Sequence, residues 1–85
     1  MKKGHQIHER DDVRPDEGVQ KYGNVVFADP TNNKYPIDTP EHVRTAWSYI
    51  NHEANAAKYT ADEVNQIKRR IKNAANEQGV SIHTD

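Results

Sequence analysis

His5 and His8 stand three apart in the sequence, with Glu9, Asp11 and Asp12 directly behind them. Imidazole and carboxylate are ligand types for a divalent metal such as zinc or nickel, and one helical turn would bring the two rings together. The surrounding residues carry no helical pattern, and an unordered pair holds a metal only loosely. The stretch therefore reads as a solvated polar tail, and no metal site is assigned to it. His42, His52 and His83 are scattered, and the chain has no cysteine to complete a ligand set with them. Ser48 and Ser81 lack the sharp turn motif that presents a catalytic serine, and there is no glycine-rich phosphate loop. No nucleophile with its base and no facing pair of carboxylates can be assembled. A chain of 85 residues also leaves no room for a pocket of ordinary ligand size. The expectation is a protein that is not an enzyme and uses no cofactor.

Two groups of residues remain as binding candidates. Lys68, Arg69, Arg70 and Lys72 form the cationic cluster of the chain. Only Lys68 and Lys72 share a helical face at i, i+4, with Arg69 and Arg70 on either side of the apolar seam. A basic helix of this kind can enter the major groove, with Asn65 and Asn73 available to adenine. The formal net charge is only −1, from 12 Lys and Arg against 13 Asp and Glu, so no global field draws the chain to nucleic acid or to an anionic membrane. A solvated helix face is the better reading of the cluster, and nucleic-acid binding is kept as the alternative function.

The second group is Tyr35, His42, Arg44 and Tyr49, in and just after the segment Lys34-Tyr35-Pro36-Ile37-Asp38-Thr39-Pro40-Glu41-His42-Val43-Arg44. The plain reading has His42 hydrogen-bonding near a helix terminus and Arg44 lying over Tyr35 or pairing with a carboxylate such as Asp38. The functional reading takes these four as surface or half-buried groups that meet a protein partner, because the segment holds more polar residues than packing requires. A non-enzymatic protein-interaction module is the leading expectation.

The elements that must position these residues follow from pattern. Residues 1–22 are nearly free of large apolar side chains and carry equal numbers of positive and negative groups. Pro15 and Gly18 interrupt any local run, so a disordered polyampholyte tail is expected there, with a small helical domain over 23–85. Asn24-Val25-Val26-Phe27-Ala28 is β-prone, Asp29-Pro30-Thr31-Asn32-Asn33 has turn chemistry, and Lys34-Tyr35-Pro36-Ile37 is extended, which gives a small hairpin or a loop. A first helix starts at an N-cap, Asp38 or Thr39, with Pro40 in its first turn and a stripe of Val43, Ala46, Trp47 and Ile50.

Asn51 through Asn55 read as the exit of that helix, with a short turn over Ala56 to Tyr59. Thr60-Ala61-Asp62-Glu63 is a capping box that opens a second helix with the seam Val64, Ile67, Ile71, Ala74 and Ala75, closed by Gly79 and Val80. The fold class is mainly α, an αα-hairpin or helix-turn-helix with the β-like segment over its open side. Trp47 is expected to be the most valuable core residue, with truncation to alanine costing about 3–5 kcal/mol. Lys2 and Lys3 are followed by no apolar signal core and no run could span a bilayer, so a cytoplasmic protein without membrane contact is expected.

Phe27-Ala28-Asp29-Pro30, Lys34 through Arg44, Ala46-Trp47-Ser48-Tyr49-Ile50-Asn51 and Asn55-Ala56-Ala57-Lys58-Tyr59 occur here in one order. In these motifs, and in Ile67 through Val80, the chain resembles a small uncharacterised bacterial and phage-associated domain family over about residues 22 to 82. The resemblance implies an accessory module, found alone or attached to phage head and prophage proteins, with no activity or catalytic residues to carry over. Asn73, Asn76, Glu77 and Gln78 depart from the Ala- and Lys-rich helix of similar sequences and lower its positive charge. The first 22 residues lie outside this likeness and are read as a linker remnant or a partner-binding arm.

Overall fold

The computed structural model describes residues 7–82. Its elements in chain order are helix α1 (Pro15–Tyr22), strands β1 (Phe27–Asp29) and β2 (Lys34–Pro36), helix α2 (Pro40–Ile50), the single turn α3 (Glu53–Ala56) and helix α4 (Ala61–Gln78). The strands pair antiparallel with Phe27 opposite Pro36 and Asp29 opposite Lys34. Pro36 has no N–H to give, and the ladder is extended past it by the Ile37 N–H, which donates to the Val26 carbonyl at 3.0 Å. Asn33 takes the left-handed conformation at φ 53°, as an asparagine at the end of this turn can do.

Local chemistry explains both long helices. Thr39, not Asp38, caps α2: its Oγ1 accepts from the His42 N–H at 3.1 Å, with Pro40 at the first helical position. In α4 the Thr60 hydroxyl accepts from the Glu63 N–H while the Glu63 carboxylate accepts from the Thr60 N–H, so the capping box is complete. Gly79 is left-handed at φ 68°, and the Val80 N–H reaches back to the Ala75 carbonyl at 2.8 Å, which satisfies a terminal carbonyl and closes the helix. The connection between α2 and α4 differs from expectation. The helical turn falls on Glu53–Ala56, three residues before the expected one, because the His52 carbonyl already accepts from both Asn55 and Ala56.

The two long helices pack on one another and the hairpin lies across them. Val43, Ile50, Ile67 and Ile71 are fully buried between them, joined by Ala46, Ile37, Tyr35 and Ala28. Trp47 is a correction. It is only partly buried at the edge of this cluster, with Lys68 Nζ and Lys72 Nζ each 5.7 Å from its ring, so Ile50 and not Trp47 is the central residue of α2.

The larger correction concerns the N-terminal stretch, expected as a disordered tail over 1–22. Residues 1–6 lie outside the described residues, His5 among them. Residues 7–22 are structured: Ile7 is 3% exposed and belongs to the core cluster, while α1 lies on the surface with no buried residue. Pro15–Tyr22 is a helix despite Gly18, which is there for close approach. A Cβ at Gly18 would stand 2.2 Å from the Asn33 carbonyl oxygen, so only glycine lets α1 lie against the turn of the hairpin. Asn33 Nδ2 completes the contact by donating to the Pro15 carbonyl at 3.0 Å.

Candidate functional site

Asp29 is the polar centre of the molecule. The side chain has no exposed surface, and each carboxylate oxygen accepts two hydrogen bonds, which fills its lone pairs. Oδ1 takes the N–H groups of Thr31 (3.1 Å) and Asn32 (3.2 Å); Oδ2 takes Asn32 Nδ2 (2.9 Å) and the Tyr59 hydroxyl (2.7 Å). The N-terminal arm closes over this centre. Asn32 Nδ2 also donates to the His8 carbonyl, Asn32 Oδ1 accepts from the Arg10 N–H, and Arg10 Nη1 donates to the Tyr59 oxygen at 3.0 Å. Beside it, Glu63 accepts from the His8 N–H at 2.8 Å and faces His8 Nδ1 at 2.8–2.9 Å. Among the described residues no buried side-chain polar atom is left without a partner.

The electrostatics follow from this geometry. Burial pushes the Tyr59 hydroxyl well above its ordinary value, and its bond to Asp29 adds to the rise against the opposing pull of Arg10. For Glu63 the largest influence, burial, opposes ionisation, but donors from Thr60 and His8 outweigh it and hold the carboxyl at about 2. Asp12, bonded through both oxygens to Arg10, is likewise lowered to about 2 by that pairing.

A concavity of about 290 Å³ opens on the other side of Tyr35. Residues 12–22 with α1 form one wall, α2 the opposite wall through His42, Thr45, Ala46 and Tyr49, and β2 the floor through Lys34, Tyr35 and Pro36. It reaches the lower end of ligand-sized cavities, contrary to the expectation of no room, because residues 15–22, expected to be disordered, form the helix that supplies a wall. Tyr35 is held here at φ +62°, a left-handed backbone that a bulky aromatic rarely adopts, and its ring also packs 6.4 Å from that of Tyr59. Burial raises the Tyr35 hydroxyl, with Arg10 opposing. Tyr35 thus belongs both to the polar centre and to the floor of the pocket.

Three of the four residues singled out from the sequence, Tyr35, His42 and Tyr49, therefore line one cavity. His42 is held by Asp38, whose Oδ1 lies 2.6 Å from Nδ1, and its ring stands edge-on to Tyr22 at 5.4 Å. Nδ1 is engaged, so Nε2 is the nitrogen left for a ligand. A histidine oriented by aspartate is half of a general-base arrangement, yet Thr45 on the same wall has no hydrogen bond to it among the described residues. Arg44 is exposed on α2 and does not line the cavity. Neither of its expected contacts forms: Asp38 is taken by His42, and Lys34 Nζ, 6.0 Å from the ring, covers Tyr35.

The cationic cluster on α4 is dispersed by its contacts. Arg70 Nη1 donates to the Ala28 carbonyl of β1 at 2.9 Å, Lys68 and Lys72 lie against Trp47, and Arg69 is exposed. Among the described residues no group of three or more His, Cys, Asp or Glu is placed to hold a metal, and His83 lies outside them. No helix among them is long and apolar enough to cross a membrane.

Among the pocket residues not expected from the sequence are Arg14, Lys21, Tyr22 and Lys34. A signal for the first three was present. Pro15 followed by Asp16 and Glu17, Lys21 in the last turn and Gly23 after it form a complete set of helix start and stop marks.

A small, mainly helical domain with a two-stranded hairpin and an aromatic-walled pocket does not by its fold define an activity. The chain belongs to a family of unknown function, DUF6582, whose model matches residues 3–85. The matched stretch takes in nearly all of the N-terminal arm, which the likeness drawn from motifs had left outside. No curated protein and no solved structure matches the chain.

Proposed function

We propose that this protein is a non-enzymatic binding module whose pocket between α1 and α2 receives a short segment of a protein partner. The observation that carries this reading is the convergence of Tyr35, His42 and Tyr49 on one concavity, with Tyr35 in a strained backbone conformation and Tyr49 53% exposed. Strain is kept at sites where a surrounding structure holds it for use, and exposed aromatic groups beside a cleft are the usual anchors of recognition. The setting suggested by the sequence likeness is an accessory role beside phage or prophage proteins.

Affinity capture with the intact chain tests this. Partners held by the wild type should be lost with Tyr49→Ala and retained with Arg44→Ala, since Arg44 stands away from the cavity. Retention of every partner by Tyr49→Ala sinks the proposal. The nucleic-acid alternative has less support from the geometry, because Arg70, Lys68 and Lys72 are already engaged within the fold. Salt-steep binding of duplex DNA that falls on charge reversal at Arg69 would reverse the ranking.

A further inference from the structure

Charge around the pocket is uneven in a chain whose formal net charge is −1. Arg14, Lys21 and Lys34 stand on its rim against Asp12 and Glu17. Asp12 is already neutralised, by Arg10 at 2.6 Å and by Lys58 at 3.6 Å. Lys21 and Lys34 have no carboxylate within ion-pair distance among the described residues. Each instead lies against a tyrosine of the pocket, Lys21 Nζ 5.4 Å from the Tyr22 ring and Lys34 Nζ 6.0 Å from the Tyr35 ring. Arg14 has only a loose contact, 4.0 Å to Asp16. Two cations without an ion pair among the described residues, and Arg14 with only a loose one, thus face Glu17 around a cavity lined by Tyr22, Tyr35 and Tyr49. Such an arrangement favours an aromatic group below and negative charge at the mouth.

We infer that the occupant is an acidic peptide segment bearing an aromatic side chain: the ring seats among Tyr22, Tyr35 and Tyr49, and flanking carboxylates meet Lys21, Lys34 and Arg14. This rests on the proposed binding function and names its ligand chemistry. His42 Nε2 adds a directional contact inside, with its ring fixed by Asp38. The size agrees: about 290 Å³ accommodates one large side chain and its backbone, and not a folded surface. Long-range attraction by the rim is screened over about 8 Å at physiological ionic strength, so recognition should weaken with added salt.

The test uses the full chain and three fluorescently labelled heptapeptides: phenylalanine among aspartates, phenylalanine among lysines, and alanine among aspartates. The first should bind saturably and weaken about tenfold in the double variant Lys21→Glu, Lys34→Glu, whose fold is checked by circular dichroism. Tyr49→Ala should weaken it by a similar factor, and the other two peptides should bind at least tenfold less tightly. Equal binding of all three peptides overturns the inference, as does tighter binding of a single-stranded oligonucleotide in the same pocket. Panning a random heptapeptide library on the chain separates the two levels of the argument. Enriched peptides that need Tyr49 but carry no acidic bias leave the binding function standing and remove its acidic ligand. If no enriched peptide depends on Tyr49, both fall.

Discussion

Asp29→Ala is the sharpest probe of the fold, because it removes one side chain on which two turn amides, Asn32 and Tyr59 all depend. A lost hydrogen bond to a charged group costs about 1.5–3 kcal/mol. Four such bonds share one carboxylate and water will re-pair part of what is left, so the total should be about 3–5 kcal/mol, the usual range for breaking a buried charged network from one side. A chain of this length has roughly 4–13 kcal/mol of stability, so the variant stands near the edge of folding. Tyr59→Phe removes only the hydroxyl and should cost about 1.5–3 kcal/mol. Introduced after Asp29→Ala it should cost about 1 kcal/mol less than on its own, since the Asp29 acceptor is already gone and only the bond from Arg10 remains to be lost, which is a coupling of about 1 kcal/mol. Urea unfolding followed by Trp47 fluorescence reads both; with a slope near 1 kcal/mol per molar, Asp29→Ala should lower the midpoint by about 3 M or more. A cost under 1 kcal/mol for Asp29→Ala, or strict additivity of the two changes, would refute the view that this network anchors the N-terminal arm.

Gly18→Ala should detach α1 in spite of alanine's higher helix propensity, because the new methyl meets a backbone carbonyl that cannot yield. Hydrogen exchange should show protection lost at Gly23, whose N–H bonds to the Val19 carbonyl, while α4 amides stay protected. The Glu63 carboxyl titrates lower when folded (about 2) than its ordinary 4.5, so its contribution is full above about pH 4.5 and fades as pH falls toward 2. Allowing for solvent screening, this is about 1–2 kcal/mol, and acid titration of Glu63→Gln should lack that part of the loss. Trp47→Ala should cost about 1–2 kcal/mol and Ile50→Ala about 2–5 kcal/mol, measured in urea. The order follows from a half-buried ring against a side chain with no exposure.

What was legible in the sequence is what is local. The Thr60–Glu63 box, the Thr39–Pro40 start and the Gly79 stop are each written within a few residues, and all three form as read. The hairpin was legible because turn residues separate two β-prone runs. The buried role of Asp29 was not, since aspartate before proline is ordinary turn chemistry and only the partner 30 residues away, Tyr59, makes it a hub. The arm was misread for the same reason. Its residues are polar, and their bonding partners Asn32, Tyr59 and Glu63 lie 22 to 55 positions away. Gly18 reads locally as a helix breaker, but its function is closeness to Asn33. The pocket needs α1 as its second wall, so Tyr35, His42 and Tyr49 stand out in the sequence as polar or aromatic residues while the cavity they line and its cationic rim do not.

The arm also bears on the order in which this protein folds. Helices α2 and α4 and the hairpin can form from near neighbours, whereas His8 must find Glu63 across 55 positions. Closing so long a loop costs entropy that grows with the logarithm of its length, and its contacts reward that cost only once their receivers are in place. Docking of residues 7–12 is accordingly expected to come late, after the folding transition state. Substitutions in the arm should then speed unfolding and leave the folding rate nearly unchanged. On this reasoning the arm is a latch: it adds little to how fast the fold forms and much to how long the native state survives.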